Sequence, residues 1–134
     1  MQTREYKVSL IGPSEVGKSS FLKRLLYGYN HIYVTEKTLG VDVIPIDIHN
    51  NNDKIRLNIW DCAGDENYRG LKDKYHIDTQ AAIIFRNSNK GNNYNYENEL
   101  PENIPKFYVD NYNLQNPEHT VEEYKTMLYN MINN

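Results

Sequence analysis

Cysteine is nearly missing from this chain of 134 residues: Cys62 stands alone, so a disulfide framework and a multi-cysteine metal knuckle are excluded, and a reducing compartment is implied. Positive charge is also scarce, with fifteen Lys and Arg against eighteen Asp and Glu and a net charge of −3. A nucleic-acid footprint needs a clustered excess of Lys and Arg, so nucleic acid is not an expected partner. No apolar run approaches the roughly 18–20 residues of a membrane span. The opening MQTREYKVSL does not read as a signal peptide and the closing MINN carries no prenylation box, so no membrane is expected either. His31, His49, His76 and His119 show no metal-ligand spacing. Alanine is down to three residues, whereas asparagine reaches nineteen, beside twelve tyrosines and twelve isoleucines. A/T-rich codons account for such a bias without functional intent. Asparagine also marks places where ordinary structure is relaxed, and its distribution along the chain separates the two readings.

The length is that of one domain, read as 1–134. Glu5 to Ile11 alternates as a strand and runs into GPSEVGKSS, after which Phe21, Leu22, Leu25, Leu26 and Tyr29 recur at helical spacing. Gly40 to His49 alternates again but contains Pro45, which cannot donate to a ladder and therefore predicts an edge strand. Asn50 to Asp53 supplies a turn, and Ile55, Leu57 and Ile59 continue as the second arm of an antiparallel hairpin ending at Trp60-Asp61. A short helix is expected around Leu71 to Tyr75. Ala81 to Phe85 is a continuous apolar run, the pattern of a parallel strand covered on both faces. Lys106 to Val109 is a weaker strand. Thr120-Val-Glu-Glu123 has the form of a capping box, and Val121, Tyr124, Leu128, Met131 and Ile132 give the last helix its apolar stripe. Between the last two strands, residues 87–103 hold seven of the asparagines and one aliphatic side chain, Leu100. A loop of that length inside a small domain is uncommon.

Gly12-Pro-Ser-Glu-Val-Gly17-Lys18-Ser19 fits G-x-x-x-x-G-K-[ST], following a strand and opening a helix as that motif requires. A chance match in this length is on the order of half a percent at average residue usage. Loop amides and the helix N-terminus offer N–H groups and positive dipole to phosphate oxygens. The candidate phosphate-binding residues are therefore Gly12, Ser14, Glu15, Val16, Gly17, Lys18, Ser19 and Ser20, with Lys18 neutralising the phosphates and Ser19 ligating Mg²⁺. Asp61, ending a strand beside this loop, is the expected second magnesium-associated group.

GPSEVGKSSF, TLGVDVIPI, WDCAGDENYRGLKDKYHI and AAIIF together resemble a small GTPase of the Ras superfamily, and among its branches the Ran-like one, the nuclear-transport GTPases. The likeness is nearly continuous from Tyr6 to Phe85 and patchy from Glu102 to Val109. The resemblance implies GTP or GDP with Mg²⁺ as cofactors and a nuclear or cytoplasmic location. It also implies nuclear-transport receptors or an exchange factor as partners. Thr38 takes the place of the switch I threonine on Mg²⁺ and γ-phosphate, Asp61 that of the magnesium-linked aspartate, and Gly64 that of the γ-phosphate-sensing glycine. Tyr29 or Tyr33 flanks the base; a one-residue offset leaves that choice open.

Four departures qualify the resemblance. Asp65 stands at the catalytic glutamine of DTAGQ, where a carboxylate lacks the amide donor and adds charge near the γ-phosphate, so hydrolysis is expected to be poor. Pro13, Ser14 and Glu15 occupy positions that favour small residues. The guanine-reading NKxD motif is degenerate: Asn111 falls on its Asn, Tyr112 on its Lys and Leu114 on its Asp, with Asp110 one register away as a conceivable substitute. Lastly, the final SAK-type loop and its strand are absent, and the Asn-rich run takes the place of a helix. That end of the sheet is therefore expected to expose apolar surface or to loosen. The resulting expectation is an α/β P-loop domain with a mostly parallel sheet of about five strands, an antiparallel edge strand, three flanking helices and a shortened C-terminal half. Two functions fit it: a Ran-like GTP-binding protein with impaired hydrolysis and weakened guanine selectivity, or a pseudo-GTPase that mimics Ran toward transport factors.

Overall fold

The computed structural model describes residues 3–12, 17–27, 41–62, 77–86, 100–113 and 115–133. Strand β1, Arg4–Ile11, passes from exposed to buried along its length and leads to helix α1, Lys18–Tyr27. The hairpin follows as β2, Val41–Asn50, and β3, Asp53–Cys62. β4 is Ala81–Arg86, β5 is Lys106–Asp110, and the closing helix, α2, is Val121–Asn133. The sheet order is β2-β3-β1-β4-β5. β1 runs parallel to both β3 and β4, β4 runs parallel to β5, and β2 alone is antiparallel to its neighbour β3.

The hairpin and its edge follow from local chemistry. Asn51 takes the left-handed conformation, φ 56°, at the turn between β2 and β3, where an asparagine side chain tolerates it. Pro45 sits opposite Asn58 on the outermost strand, the place in a sheet that tolerates a residue without an N–H donor. Asp47 on β2 is held by Arg56 on β3 through bonds of 2.6 and 3.2 Å.

One face of the sheet carries the main core. Val8, Leu10, Ile46, Ile48, Ile55, Leu57, Ile59, Ile83 and Phe85 pack there against Phe21, Leu22 and Leu25 of α1 and Val121, Tyr124 and Leu128 of α2. Both helices among the described residues cover this same face; the helix expected around Leu71 to Tyr75 lies outside them. The capping box forms as expected: Glu123 N–H donates to Thr120 Oγ1 at 3.1 Å, and Thr120 N–H donates to Glu123 Oε1 at 2.8 Å. Near the far end of α2, the Tyr129 hydroxyl donates to the Asp53 carboxylate, which is also paired with Arg4, so the helix is tied to the hairpin turn and to β1.

The opposite face is smaller: Ile11, Ala82, Ile84 and Leu100 are buried together, with Ile104 and Tyr108 against them. The Asn-rich run therefore does not leave β4 bare, since Ala82 and Ile84 are at most 3% exposed. Leu100, its lone aliphatic residue, is part of what covers them; residues 87–99 lie outside the described set. Ser9 on this side donates to Thr79 Oγ1 at 2.8 Å, which satisfies two buried hydroxyls.

Candidate functional site

In an open α/β sheet, ligands bind beyond the carboxyl ends of the strands where the chain changes direction of travel across the sheet. Here that point is β1. From it the chain winds outward through α1 to β2 and β3 on one side, and β4 lies on the other. Gly12 leaves β1 at this edge and Lys18 opens α1, so the sequence motif occupies the switch point.

Both glycines of the motif are required by what they touch. Gly12 has φ 147°, and a Cβ there would fall 2.7 Å from the Phe85 carbonyl oxygen and 2.9 Å from Phe85 Cβ. Gly17 has φ 93°, and its Cβ would meet Cδ2 of Tyr112 at 3.0 Å. Close seating of the loop on Phe85 and Tyr112 is possible only without side chains.

Lys18 is 7% exposed, and its ammonium donates to the Gly12 carbonyl at 2.6 Å, across the mouth of the loop. A cation at a helix N-terminus opposes the helix dipole, and α1 has no acidic residue in its first turn to compensate. Buried ammonium and helix dipole thus superpose two positive sources at one point. Such an arrangement suits an anion with several oxygens, of which phosphate is the fitting class. Asp61, 1% exposed, is the penultimate residue of β3 and lies level with Leu10 of β1. A buried carboxylate thus stands at the same edge of the sheet as the buried ammonium. Ser19 and Ser20 follow Lys18 in the first turn of α1, and Ser20 is buried.

The other expected residues divide. Ser14, Glu15 and Val16, the switch candidates Thr38, Tyr29 and Tyr33, and Gly64 with Asp65 all lie outside the described residues. Asn111 follows β5 with φ 50°, and its N–H donates to the Arg86 carbonyl at 2.7 Å. With Tyr112, Asn113, Asn116, His119 and Tyr124 it lines a cleft of about 150 Å³ between the end of β5 and α2. Asp110, the substitute considered for the guanine-reading acid, is engaged elsewhere: its carboxylate accepts two bonds from Arg86, at 2.5 and 2.8 Å. That guanidinium holds the Asp110 carboxyl below its ordinary range. No pattern along the chain signals the role of Tyr112. Its ring packs edge-on to Phe21 at 5.4 Å and to Phe85 at 5.8 Å. Burial raises its hydroxyl pKa, offset in part by the Arg24 guanidinium.

A five-stranded, mostly parallel sheet with a glycine-bounded loop and buried lysine at its switch point defines a P-loop NTPase-like domain. Within that class, the family model for Roc, described as Ras of Complex, Roc, domain of DAPkinase, matches residues 7–112. The chain belongs to the Roc family, and so to the GTPase-like domains of the Ras superfamily.

Proposed function

We propose that this Roc domain binds a guanine nucleotide with Mg²⁺ at the carboxyl edge of β1 and β3, and turns it over slowly or not at all. The observation that carries the reading is the buried Lys18 ammonium at the N-terminus of α1, bonded to Gly12 where the phosphates would enter. The loop amides from Gly12 to Ser20 and the Lys18 ammonium would take the phosphate oxygens. Ser19, Thr38 and Asp61 would hold the Mg²⁺, an all-oxygen set with a single carboxylate that suits this hard cation. Bound Mg²⁺ supplies neutralisation of phosphate charge. Asp65 in place of a glutamine leaves the attacking water without a neutral amide to orient it, so hydrolysis is slow. Guanine selectivity is weak, because Leu114 offers no carboxylate to the base and Asp110 is committed to Arg86.

The test is titration of labelled GTP, GDP and ATP with and without Mg²⁺, with Lys18→Ala as control. Binding that requires Lys18 supports the reading. If no Lys18-dependent binding appears up to millimolar nucleotide, it fails.

A second reading draws on the retained GLKDKYHI stretch beside a degenerate base motif. In it the domain is a Ran-like pseudo-GTPase, acting in the nucleus or cytoplasm as a protein-binding module toward nuclear-transport receptors or an exchange factor. It requires capture of those proteins regardless of nucleotide. A pull-down that lacks them counts against it.

A further inference from the structure

We propose that Tyr112 is a positioning residue for the phosphate-binding loop, its ring forming the seat on which the second hinge of the loop, Gly17, is held. The inference rests on the nucleotide-binding reading above and adds to it a residue from the far end of the sheet.

Gly17 lies in the left-handed region and presents a bare backbone face, and Cδ2 and Cε2 of Tyr112 are the atoms that a side chain there would meet, at 3.0 and 3.6 Å. The carbonyl of Gly17 accepts from the Phe21 N–H at 2.9 Å, and the Phe21 ring is edge-on to Tyr112. Gly17, Phe21 and Tyr112 therefore close a three-way contact at the start of α1. The ring has little room to slide, because Phe85 and Tyr124 hold it from two further sides, with centroids at 5.8 and 6.5 Å. The first hinge, Gly12, rests on the backbone of Phe85, so both ends of the loop are referred to one aromatic cluster.

The path that delivers Tyr112 is equally specific. Asn111 turns the chain at φ 50° after β5, and its N–H is fixed on the Arg86 carbonyl at the end of β4. That turn directs the next side chain inward to the loop. A binding constellation needs its amides within roughly half an ångström of the productive geometry. A rigid ring set by three aromatic neighbours can provide that; a flexible aliphatic side chain cannot. The contacting atoms are ring carbons, so the hydroxyl is dispensable for this role.

The experiment compares Tyr112→Leu, Tyr112→Phe and Tyr129→Phe, reading dissociation of labelled GDP in Mg²⁺, thermal midpoint and the Gly17 amide and Hα resonances. In the nucleotide-free wild type, the Gly17 resonances carry a ring-current displacement, which Tyr112→Phe retains and Tyr112→Leu loses. Dissociation from Tyr112→Leu is faster by about tenfold or more, since small misplacements at such sites have effects of that order. Tyr112→Phe restores the wild-type rate. Tyr129→Phe, which removes the bond to Asp53, lowers the thermal midpoint yet leaves the rate within about twofold of wild type, because Tyr129 packs on the hairpin turn and not on the ring that seats Gly17. An undisplaced Gly17 resonance in the wild type overturns the proposal without recourse to any variant. So does a Tyr112→Leu rate equal to wild type, or a Tyr129→Phe rate raised as much as that of Tyr112→Leu. A wild type that binds no nucleotide defeats the parent reading instead, and the Gly17 resonance still decides the seating.

Discussion

The carbonyl oxygen of Phe85 stands 2.7 Å from the point where Gly12 would carry a Cβ, so β4 and the mouth of the loop are in contact through backbone alone. Gly12→Ala places a methyl group against an atom that belongs to the centre of the sheet and cannot rotate away, at a φ that L residues avoid. The expected outcome is a loss of stability of more than about 1 kcal/mol together with loss of nucleotide binding. Urea unfolding and a GDP titration check the two parts. An unchanged unfolding midpoint would show that the loop can lift off Phe85.

Reciprocal bonds between Thr120 and Glu123 satisfy two N–H groups at the start of α2. Thr120→Ala removes one acceptor and should destabilise the fold by about 1 kcal/mol, with Thr120→Ser close to neutral. Chemical denaturation of the two variants measures the difference. Nucleotide binding, where present, should be unaltered, since the bond removed lies at the surface.

Acid should destabilise the protein through three paired aspartates. Asp47 is held below its ordinary carboxylate range by its hydrogen bonds to Arg56, Asp53 by the Tyr129 hydroxyl and Arg4, and Asp110 by Arg86. A carboxylate depressed in the folded state contributes stability that is fully present above its unfolded pKa. That contribution is lost as pH falls through the folded value. Thermal midpoints should therefore hold level at neutral pH and fall below about pH 4, the unfolded Asp range. Asp47→Asn should flatten that descent while lowering the neutral-pH midpoint; a descent of the same steepness would clear this pair of responsibility.

Guanine preference should be recoverable at one position. Leu114→Asp restores an acceptor at the place where the resemblance puts the base-reading acid. Hydrogen bonds to a charged partner are worth about 1.5–3 kcal/mol each, so the preference for GTP over ATP in competition should rise by tenfold or more. An unchanged ratio would mean that residues after Tyr112 do not approach the base.

The elements legible in advance were those whose signal is local. The hairpin with Pro45 at the edge, the two-sided burial of Ala81 to Phe85 and the Thr120 cap each depend on spacing within one segment. The same holds for Lys18 at the junction of strand and helix. The asparagine excess also has a structural use: Asn51, Asn103 and Asn111 are three of the four non-glycine residues with positive φ among those described. They mark turns built without glycine.

From its sequence alone, then, the chain determined a glycine-bounded loop between strand and helix, the strands around it and a P-loop NTPase-like class, because periodicity, turn chemistry and a fixed motif act over a few residues. Tertiary structure decided what lies against that loop. Tyr112 under Gly17, Phe85 against Gly12 and Arg86 on Asp110 each join residues from different strands or turns, and no pattern along the chain distinguishes them. Those contacts exist because the parallel order β1-β4-β5 brings three strand ends to one edge, where close packing selects which side chains meet.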